Sequence, residues 1–317
     1  MKLLMTGASG FIGSVLSDRV LANGHEIVAT FRNDANNKAQ IKSLKIPSID
    51  GEAVWGNALQ RIEVVVHLAA RAHVLTESIL NPLDDFRKVN TQGTLHLANC
   101  AAKAGVKRFV FLSSIGVNGN ESITPFNELS VPNPVEPYAL SKLEAEEGLR
   151  KIADDTGMEL VIVRSPLVYG SNCPGNFLAL LGLIYRGIPL PFGAINNQRS
   201  FIGVQNLADF LVQCVESPDA ANKTFLIADD IDISTPDLIR ILAKGMNRPT
   251  YLFPMPYQLL HSMTALVGKA SALDKLCGTL QVDSNFARKT LGWTQAFSLY
   301  QGLNDVAVWY AAYRSGK

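Results

Sequence analysis

The start of the chain contains the feature that most restricts its fold, an apolar run followed by three evenly spaced glycines. The run is Leu3, Leu4 and Met5, glycines follow at positions 7, 10 and 13, and a helical pattern extends from Ser14 to Leu21. A helix N-terminus after a glycine turn binds phosphate, because free N–H groups and the helix dipole both favour negative charge. The pattern therefore predicts a dinucleotide cradle, formed by Gly7, Ser9, Gly10, Phe11, Ile12 and Gly13.

A second predicted strand, from Glu26 to Phe31, should end beside the adenosine ribose of the dinucleotide. Arg32 follows this strand, at a position where an acidic residue is typical of NAD sites. A guanidinium suits the 2′-phosphate of NADP through charge-assisted hydrogen bonds. We therefore expect NADP as the cofactor. Asp34 leaves NAD as an alternative cofactor. A further alternative is that Arg32 is a solvated loop residue with no role in cofactor binding.

Bulk properties exclude several functional classes. The chain has 317 residues, 47% of them hydrophobic, which is enough for a large core. Its net charge of +1 predicts no binding of nucleic acid. It has no uninterrupted apolar run of about 18 residues, so no membrane insertion is expected. The four cysteines lie far apart, as in a cytoplasmic protein with reduced thiols and no metal site.

Strands and helices alternate through the first half of the chain. Continuous apolar runs at 64–68, 109–112 and 160–163 predict strands that are buried on both faces of a parallel sheet. Helical patterns extend from about 84 to 104 and from about 138 to 157. This alternation predicts an α/β fold with a Rossmann-like, doubly wound parallel sheet.

Prolines and glycines become frequent after residue 170, which predicts a change of architecture. We expect residues 1–170, with returns at about 200–230, to form the dinucleotide-binding domain. Residues 171–317 should mainly form a smaller α/β cap that binds the substrate. Ligands of open α/β sheets bind outside the carboxyl ends of the strands, so the site should lie at that edge.

Tyr138 and Lys142 are one helical turn apart and therefore lie on the same helix face. A phenol has a pKa near 10, and a nearby ammonium favours its ionised form. Tyr138 is then suited to exchange a proton with an alcohol or ketone while hydride moves at the adjacent carbon. Ser114, at the end of a predicted strand, would hydrogen-bond the same oxygen. We expect these three residues to be catalytic, with Lys142 also binding the nicotinamide ribose.

Six short motifs follow one another along the chain. They are the glycine turn, His67-Leu68-Ala69-Ala70, Asn90-Thr91, Phe111-Leu112-Ser113-Ser114, Pro137-Tyr138 with Ser141-Lys142, and Arg164 to Gly170. Together they resemble the extended short-chain dehydrogenase/reductases, and more narrowly the nucleoside-diphosphate-sugar epimerase/dehydratase family. The resemblance covers nearly the whole chain. It implies that further residues contact or support the cofactor, namely Leu68, Ala69, Ala70, Asn90 and Val168.

The same resemblance implies substrate contacts in the second half of the chain. Arg199 and Arg288 would bind the diphosphate of a UDP-linked sugar, because a planar guanidinium matches phosphate oxygens. Asn176 would contact the nucleotide sugar, and His73 would line the sugar pocket. The alternatives are an ion pair for Arg199, a helix N-cap for Asn176 and a structural role for His73. Family members commonly form homodimers, so the resemblance predicts a homodimer that pairs through helices at about 90–104 and 138–155.

The residues after Ser114 restrict the reaction. Sugar dehydratases of this family have an Asp-Glu pair there, whereas this chain has Ile115 to Asn118 without an acid, which disfavours 4,6-dehydration. Reversible 4-epimerisation of a UDP-sugar and one-way reduction of a 4-keto-sugar nucleotide remain. Arg32 and the compact segment 44–63 favour reduction of a UDP-4-keto-6-deoxy-hexosamine in surface-polysaccharide synthesis. Epimerisation of UDP-glucose or UDP-GlcNAc is the alternative, and a non-catalytic NADP-sensing protein is a remote one.

Overall fold

The structure is a computed structural model that describes residues 1–32, 41–72, 81–266, 268 and 270–316. Two residues named above, Asp34 and His73, lie outside the described residues.

The described strands form one large parallel sheet and one small parallel pair. The strands are β1 Lys2–Thr6, β2 Glu26–Phe31, β3 Ile41–Lys45, β4 Val64–His67, β5 Arg108–Ser114, β6 Glu159–Ser165, β7 Leu167–Tyr169, β8 Phe201–Gly203 and β9 Lys223–Leu226. The large sheet has the order β3-β2-β1-β4-β5-β6-β9, and β7 pairs with β8. This is the predicted Rossmann-like α/β fold, which the structure confirms.

Helices flank the sheet and continue after it. They are α1 Phe11–Ala22, α2 Pro82–Phe86, α3 Thr94–Lys103, α4 Pro137–Thr156, α5 Asn176–Tyr185, α6 Val204–Glu216, α7 Thr235–Gly245, α8 Tyr257–Leu266, α9 Ala270–Cys277, α10 Asn285–Leu291 and α11 Leu299–Ser315. Short 3-10 turns span Gly56–Leu59, Ile115–Val117 and Pro218–Ala220, and a π-helical stretch spans Arg87–Gly93.

Both faces of the sheet are buried, because successive side chains of a strand point to opposite faces. In β1, Leu3 and Met5 pack with α1 and α6, whereas Leu4 packs with α3 and α4. A third core, which includes Leu181, Leu242 and Leu303, joins α5, α7 and α11. Within the described ranges, no helix is long and apolar enough to cross a membrane.

Two local features differ from the sequence prediction. The helix expected at 84–104 consists of α2 and α3 joined by the π-helical stretch Arg87–Gly93. Strand β3 was not expected, because Ile41–Lys45 has only two apolar residues, Ile41 and Leu44, and lies at the partly exposed edge of the sheet. This short edge strand lacks the continuous apolar run that identified the central strands.

The strand register brings the predicted site residues to one edge of the sheet. Thr6, the last residue of β1, is level with His67, the last residue of β4. His67 is in turn level with Phe111, and β5 continues for three more residues to Ser114. The glycine turn, the segment after β4 and Ser114 therefore all follow carboxyl ends of neighbouring strands. That edge is the ligand-binding edge of open α/β sheets.

Candidate active site

The glycine turn is packed so closely that side chains cannot fit at two of its three glycines. Gly7 has a φ of +73°, and a Cβ there would lie 2.8 Å from the backbone nitrogen of Ala69. A Cβ on Gly13 would lie 2.1 Å from the carbonyl oxygen of Gly7. Ser9 and Gly10 are exposed at the start of α1, followed by the half-buried Phe11 and Ile12. The turn thus leaves open backbone at a helix N-terminus, which fits a dinucleotide diphosphate.

The segment after β4 is attached to this turn through a buried histidine. His67 Nδ1 lies 2.7 Å from Thr6 Oγ1, and its Nε2 lies 2.9 Å from Thr94 Oγ1. The backbone N–H of Ala69 donates to Thr6 Oγ1 at 3.2 Å. Burial, together with the smaller effect of the nearby Lys142, lowers the pKa of His67 to about 3. The imidazole is therefore neutral and positions backbone instead of transferring protons.

Asn90 connects the segment after β4 with the helix that carries Tyr138. Its Oδ1 accepts from the backbone N–H of Arg71 at 2.8 Å, and its Nδ2 donates to the Arg71 carbonyl at 3.0 Å. The same Nδ2 donates to Ser141 Oγ at 3.0 Å, and Ser141 Oγ donates to the Tyr138 carbonyl at 2.7 Å. Asn90 is fully buried within the π-helical stretch. It acts as a positioning residue, and direct contact with the cofactor remains a prediction.

Tyr138 and Lys142 occupy different environments on the same face of α4. Tyr138 is half-buried, and its ring packs edge-on against Phe86 with centroids 6.0 Å apart. Burial raises the pKa of Tyr138 to about 12. Lys142 is only 2% exposed, with Nζ 3.9 Å from the centroid of the Phe111 ring. Burial lowers the pKa of Lys142 to about 7, and Glu146 opposes this shift. The tyrosine thus holds its proton, while the lysine is close to its titration midpoint at neutral pH.

Ser114 ends β5 next to the first turn of α4. Its Oγ accepts from the backbone N–H of Gly116 at 3.1 Å, which leaves the hydroxyl proton available. A Cβ added to Gly116 would lie 3.3 Å from Cβ of Ala139 and 3.4 Å from Ser114 Oγ. The turn that holds Ser114 therefore packs directly against the residue after Tyr138.

A buried ion pair behind these residues was missed by sequence reasoning. Glu146 Oε2 lies 2.6 Å from Arg164 Nη2, and Glu146 Oε1 accepts from Arg164 Nε at 3.0 Å and from Ser113 Oγ at 2.6 Å. Arg164 Nη1 also donates to Asn118 Oδ1 at 3.1 Å. Glu146 follows Lys142 by one turn, so its position on the buried face of α4 was the available signal. The network joins the ends of β5 and β6 to α4, the helix that carries Tyr138 and Lys142.

The remaining predicted cofactor residues surround the same edge of the sheet. Leu68 and Ala69 are half-buried and Ala70 is exposed. Arg32 is exposed directly after β2. Val168 is half-buried in β7, and its carbonyl accepts from Cys173 Sγ at 3.2 Å. Their contacts with a cofactor remain predictions.

Arg199 is a half-buried cation that is held by backbone. Its Nη1 donates to the carbonyl of Gly278 at 2.8 Å, and its own N–H donates to the carbonyl of Ile233 at 3.0 Å. Burial lowers its pKa to about 10. Within the part of the chain that the structure describes, no carboxylate lies within ion-pair distance of Arg199. Glu121 offsets part of this charge from a distance, but a half-buried guanidinium that no carboxylate contacts among the described residues favours an anionic ligand.

The other predicted substrate residues have different surroundings. Asn176 is the exposed first residue of α5, and Gly175 is the N-cap, so the N-cap alternative for Asn176 is wrong. Arg288 Nη2 lies 3.3 Å from the Ala228 carbonyl, and its guanidinium lies 5.0 Å from the centroid of the Trp293 ring. These contacts hold the Arg288 side chain against the protein, and its predicted diphosphate contact remains untested.

The loop after Ser114 places no carboxylate at the positions expected of a dehydratase. Ile115–Val117 form a 3-10 turn, and the side chain of Asn118 is bound to Arg164. Further along, Glu128 accepts from the backbone N–H of Leu226 at 3.0 Å, and burial raises the pKa of Glu128. Ser114, Tyr138 and Lys142 are suited to hydride transfer at a carbinol carbon, with proton transfer at its oxygen.

Residues 3–228 match the family described as NAD dependent epimerase/dehydratase. The chain belongs to this family. The resemblance to extended short-chain dehydrogenase/reductases is therefore confirmed, and the protein is an NAD(P)-linked enzyme of the nucleotide-sugar epimerase type.

Relatives of this epimerase/dehydratase family member span almost its entire length. A "UDP-glucose 4-epimerase" of Vibrio cholerae is 40% identical, covering 96% of this chain and 94% of the relative. An "N-acetyl-alpha-D-glucosaminyl-diphospho-ditrans,octacis-undecaprenol 4-epimerase" of Escherichia coli O157:H7 is 27% identical, covering 96% and 93%. A crystal structure of UDP-glucose 4-epimerase with UDP-glucose from Thermotoga maritima is 25% identical, with a TM-score of 0.77 over 100% of this chain and 99% of that chain.

Proposed function

We propose that the protein is a UDP-sugar 4-epimerase that acts on UDP-glucose or UDP-GlcNAc. The observation that carries this proposal is the 40% identity to the Vibrio cholerae UDP-glucose 4-epimerase over 96% of the chain. The arrangement of Ser114, Tyr138 and Lys142 supports it. The loop from Ile115 to Asn118 also supports it, because no dehydratase acid stands there.

The proposed chemistry follows from the three side chains at the ends of β5 and the start of α4. Bound NAD would supply the hydride acceptor that receives hydrogen from sugar C4 and returns it to the opposite face. Tyr138 holds its proton in the protein alone, but the positive charges of the oxidised nicotinamide and of the Lys142 ammonium would favour its phenolate form. The phenolate oxygen of Tyr138 would then take the proton of the 4-hydroxyl and give it back to the other epimer. Lys142 would stabilise the phenolate, and Ser114 Oγ would donate to the C4 oxygen as charge develops there.

For the cofactor, we propose NAD retained during turnover, in place of the NADP expected from Arg32. An epimerase regenerates its cofactor in each cycle and needs no external reductant, and the family is described as NAD dependent. The exposed guanidinium of Arg32 supports the alternative. Binding of both dinucleotides to wild-type protein and to Arg32→Ala, measured by calorimetry, decides between them. Tighter binding of NADP that Arg32→Ala abolishes would contradict this choice.

The reduction of a 4-keto-sugar nucleotide, which the sequence favoured, has less support than epimerisation. The Vibrio cholerae, Escherichia coli and Thermotoga maritima relatives are all named 4-epimerases. The deciding experiment incubates the protein with UDP-glucose, UDP-GlcNAc or a UDP-4-keto-6-deoxy-sugar, with and without added NADPH. Epimer formation without added reductant supports the epimerase. Consumption of NADPH with the keto-sugar alone would refute it.

A second candidate is 4-epimerisation of a sugar carried on a polyprenyl diphosphate, as the name of the Escherichia coli relative states. The observation that favours it is the exposed apolar surface of α8, with Leu259, Met263 and Leu266, on which a lipid could lie. Arg199 would bind the diphosphate group that both candidate substrates contain. Parallel assays with UDP-GlcNAc and with N-acetylglucosaminyl-diphospho-undecaprenol in detergent distinguish the two candidates.

We also propose that the enzyme is a cytoplasmic homodimer that pairs through α3 and α4. Within one chain these two helices pack closely, because a Cβ on Gly148 would lie 2.6 Å from Cδ2 of Leu95. The homodimer itself is proposed from the resemblance to the family, whose members commonly pair through these helices. Sedimentation velocity of the wild-type protein tests the dimer.

A further inference from the structure

The ammonium of Lys142 lies over an aromatic ring instead of against a carboxylate. Its Nζ is 3.9 Å from the centroid of the Phe111 ring, and the lysine is only 2% exposed. Among the residues that the structure describes, this Nζ makes no hydrogen bond and no ion pair. A buried ammonium without such partners is costly, because burial removes its hydration. The Phe111 ring is placed to replace part of the stabilisation that water would supply.

The carboxylate of Glu146, one turn along α4 from the lysine, is occupied by other groups. Its Oε1 accepts from Arg164 Nε at 3.0 Å and from Ser113 Oγ at 2.6 Å. Its Oε2 lies 2.6 Å from Arg164 Nη2 and 3.3 Å from Arg150 Nη2. Two arginines therefore share this carboxylate. Glu146 raises the pKa of Lys142 by its charge alone, without a hydrogen bond to the ammonium.

The other ionisable groups near Lys142 do not stabilise its positive charge. His67 is neutral, and both of its ring nitrogens are within hydrogen-bond distance of threonine hydroxyls. Tyr138, one turn before Lys142 on α4, holds its proton. Arg87, in the π-helical stretch that packs on α4, is paired with Glu144. The ring face is therefore the direct partner that the described residues offer to the ammonium.

The Phe111 ring is held in place by the centre of the sheet. Phe111 is fully buried in β5, where it is level with His67 of β4 and Ile162 of β6. The rings of Phe111 and His67 are nearly parallel, at 14°, with centroids 5.9 Å apart. Ala145 and Leu149 of α4 belong to the same hydrophobic cluster as Phe111. The ring therefore has a fixed orientation toward α4 before any ligand binds.

We propose that Phe111 is a positioning residue that holds the Lys142 ammonium over its ring by a cation–π contact and stabilises its charged form. The negative face of an aromatic ring attracts a cation most strongly where water is excluded. Without this contact, burial would favour the neutral amine more strongly. A charged Lys142 favours the phenolate of Tyr138, so the consequence for turnover rests on the proposed function, whereas the contact itself does not.

Fluorination of the Phe111 ring tests the proposal, because fluorine withdraws electron density from the ring face with little change of shape. Mono-, di- or trifluorinated phenylalanine replaces Phe111 in the full chain, and NMR of lysines labelled at Cε measures the pKa of Lys142. The Lys142 signal is assigned with Lys142→Arg. We expect this pKa to fall stepwise, by about one pH unit in the trifluorinated protein.

The same fluorinated residues at Phe109 are the matched control. Phe109 is also fully buried in β5, and its ring lies 5.9 Å from that of His67, but the cation–π contact of Lys142 is with Phe111. Fluorination of Phe109 should therefore leave the Lys142 pKa in place. A Lys142 pKa that does not respond to fluorination of Phe111, or that responds equally at both positions, would overturn the proposal.

The NMR titration requires no turnover, so its outcome is independent of the proposed function. In the active enzyme, the alkaline limb of the pH–rate profile for epimer formation should move to lower pH with each added fluorine on Phe111. The limb moves in this direction because a lower Lys142 pKa means that the ammonium is lost at lower pH. A stepwise fall of the pKa in a protein that epimerises no UDP-sugar would support the cation–π contact and refute the proposed function alone.

Discussion

Replacing Glu146 with glutamine should destabilise the protein, because it removes the only negative charge in direct contact with the buried Arg164 among the described residues. The Arg164 side chain is 4% exposed and the Glu146 side chain 1% exposed, so water cannot compensate the lost charge. Breaking a buried pair by removing one partner costs about 3–5 kcal/mol. Glutamine keeps the shape and one acceptor oxygen, so the expected loss is at the lower end, about 3 kcal/mol.

Urea denaturation of Glu146→Gln and of the neighbouring control Glu147→Gln measures this effect. Glu147 lies on the same helix but is exposed, so its substitution should change the unfolding free energy by less than about 0.5 kcal/mol. A loss for Glu146→Gln that equals the loss for Glu147→Gln would refute the reasoning, because the buried pair would then contribute nothing to stability.

The same substitution should also change the pH dependence of activity, which a purely structural role would not do. Glu146 raises the pKa of Lys142 against the effect of burial. Without this carboxylate the Lys142 pKa falls, so the ammonium that supports Tyr138 is lost at lower pH. We expect the alkaline limb of the pH–rate profile of the holoenzyme to move to lower pH in Glu146→Gln and to stay in place in Glu147→Gln.

Three further outcomes follow from the site. Tyr138→Phe should reduce epimer formation about 1000-fold with its fold intact, and a rate near wild type would exclude proton transfer by Tyr138. Arg199→Met should raise the KM for the UDP-sugar about tenfold. Arg288→Met should raise this KM less, because the Arg288 side chain is bound to the Ala228 carbonyl and packs on Trp293. Equal increases in KM for the two variants would contradict this reasoning. His67 has a folded pKa of about 3 against 6.5 unfolded, so stability is lost as pH falls below 6.5, by up to about 1.4 kcal/mol per pH unit. Urea titrations from pH 7 to 4 should show a smaller loss in His67→Gln.

The central strands and the catalytic helix were predictable because their signals are local. β4, β5 and β6 are continuous apolar runs, and α4 begins at Pro137 and ends before Gly157, both of which are ordinary boundary residues. The spacing of Tyr138 and Lys142 also depends on one helix alone.

Features that depend on contacts distant in sequence were not predictable. A glutamate in the middle of a helix normally faces solvent, and Glu146 is buried only because Arg164 of β6 meets it. The surroundings of Arg199 depend on Gly278 and Ile233, which are remote in the chain. The π-helical stretch and the N-cap at Gly175 depend on packing and backbone conformation, which composition does not report.

The side chain of Asn90 binds the backbone after β4 and a serine of α4 at the same time. A single amide thus connects the backbone beside the proposed dinucleotide site with the helix that carries Tyr138, the proposed general base. A movement of the segment after β4 should therefore be transmitted through the Asn90 side chain to α4, and a movement of α4 to that segment. Replacing Asn90 should therefore weaken cofactor binding and slow turnover together. Binding of the dinucleotide should in turn restrict the motion of α4.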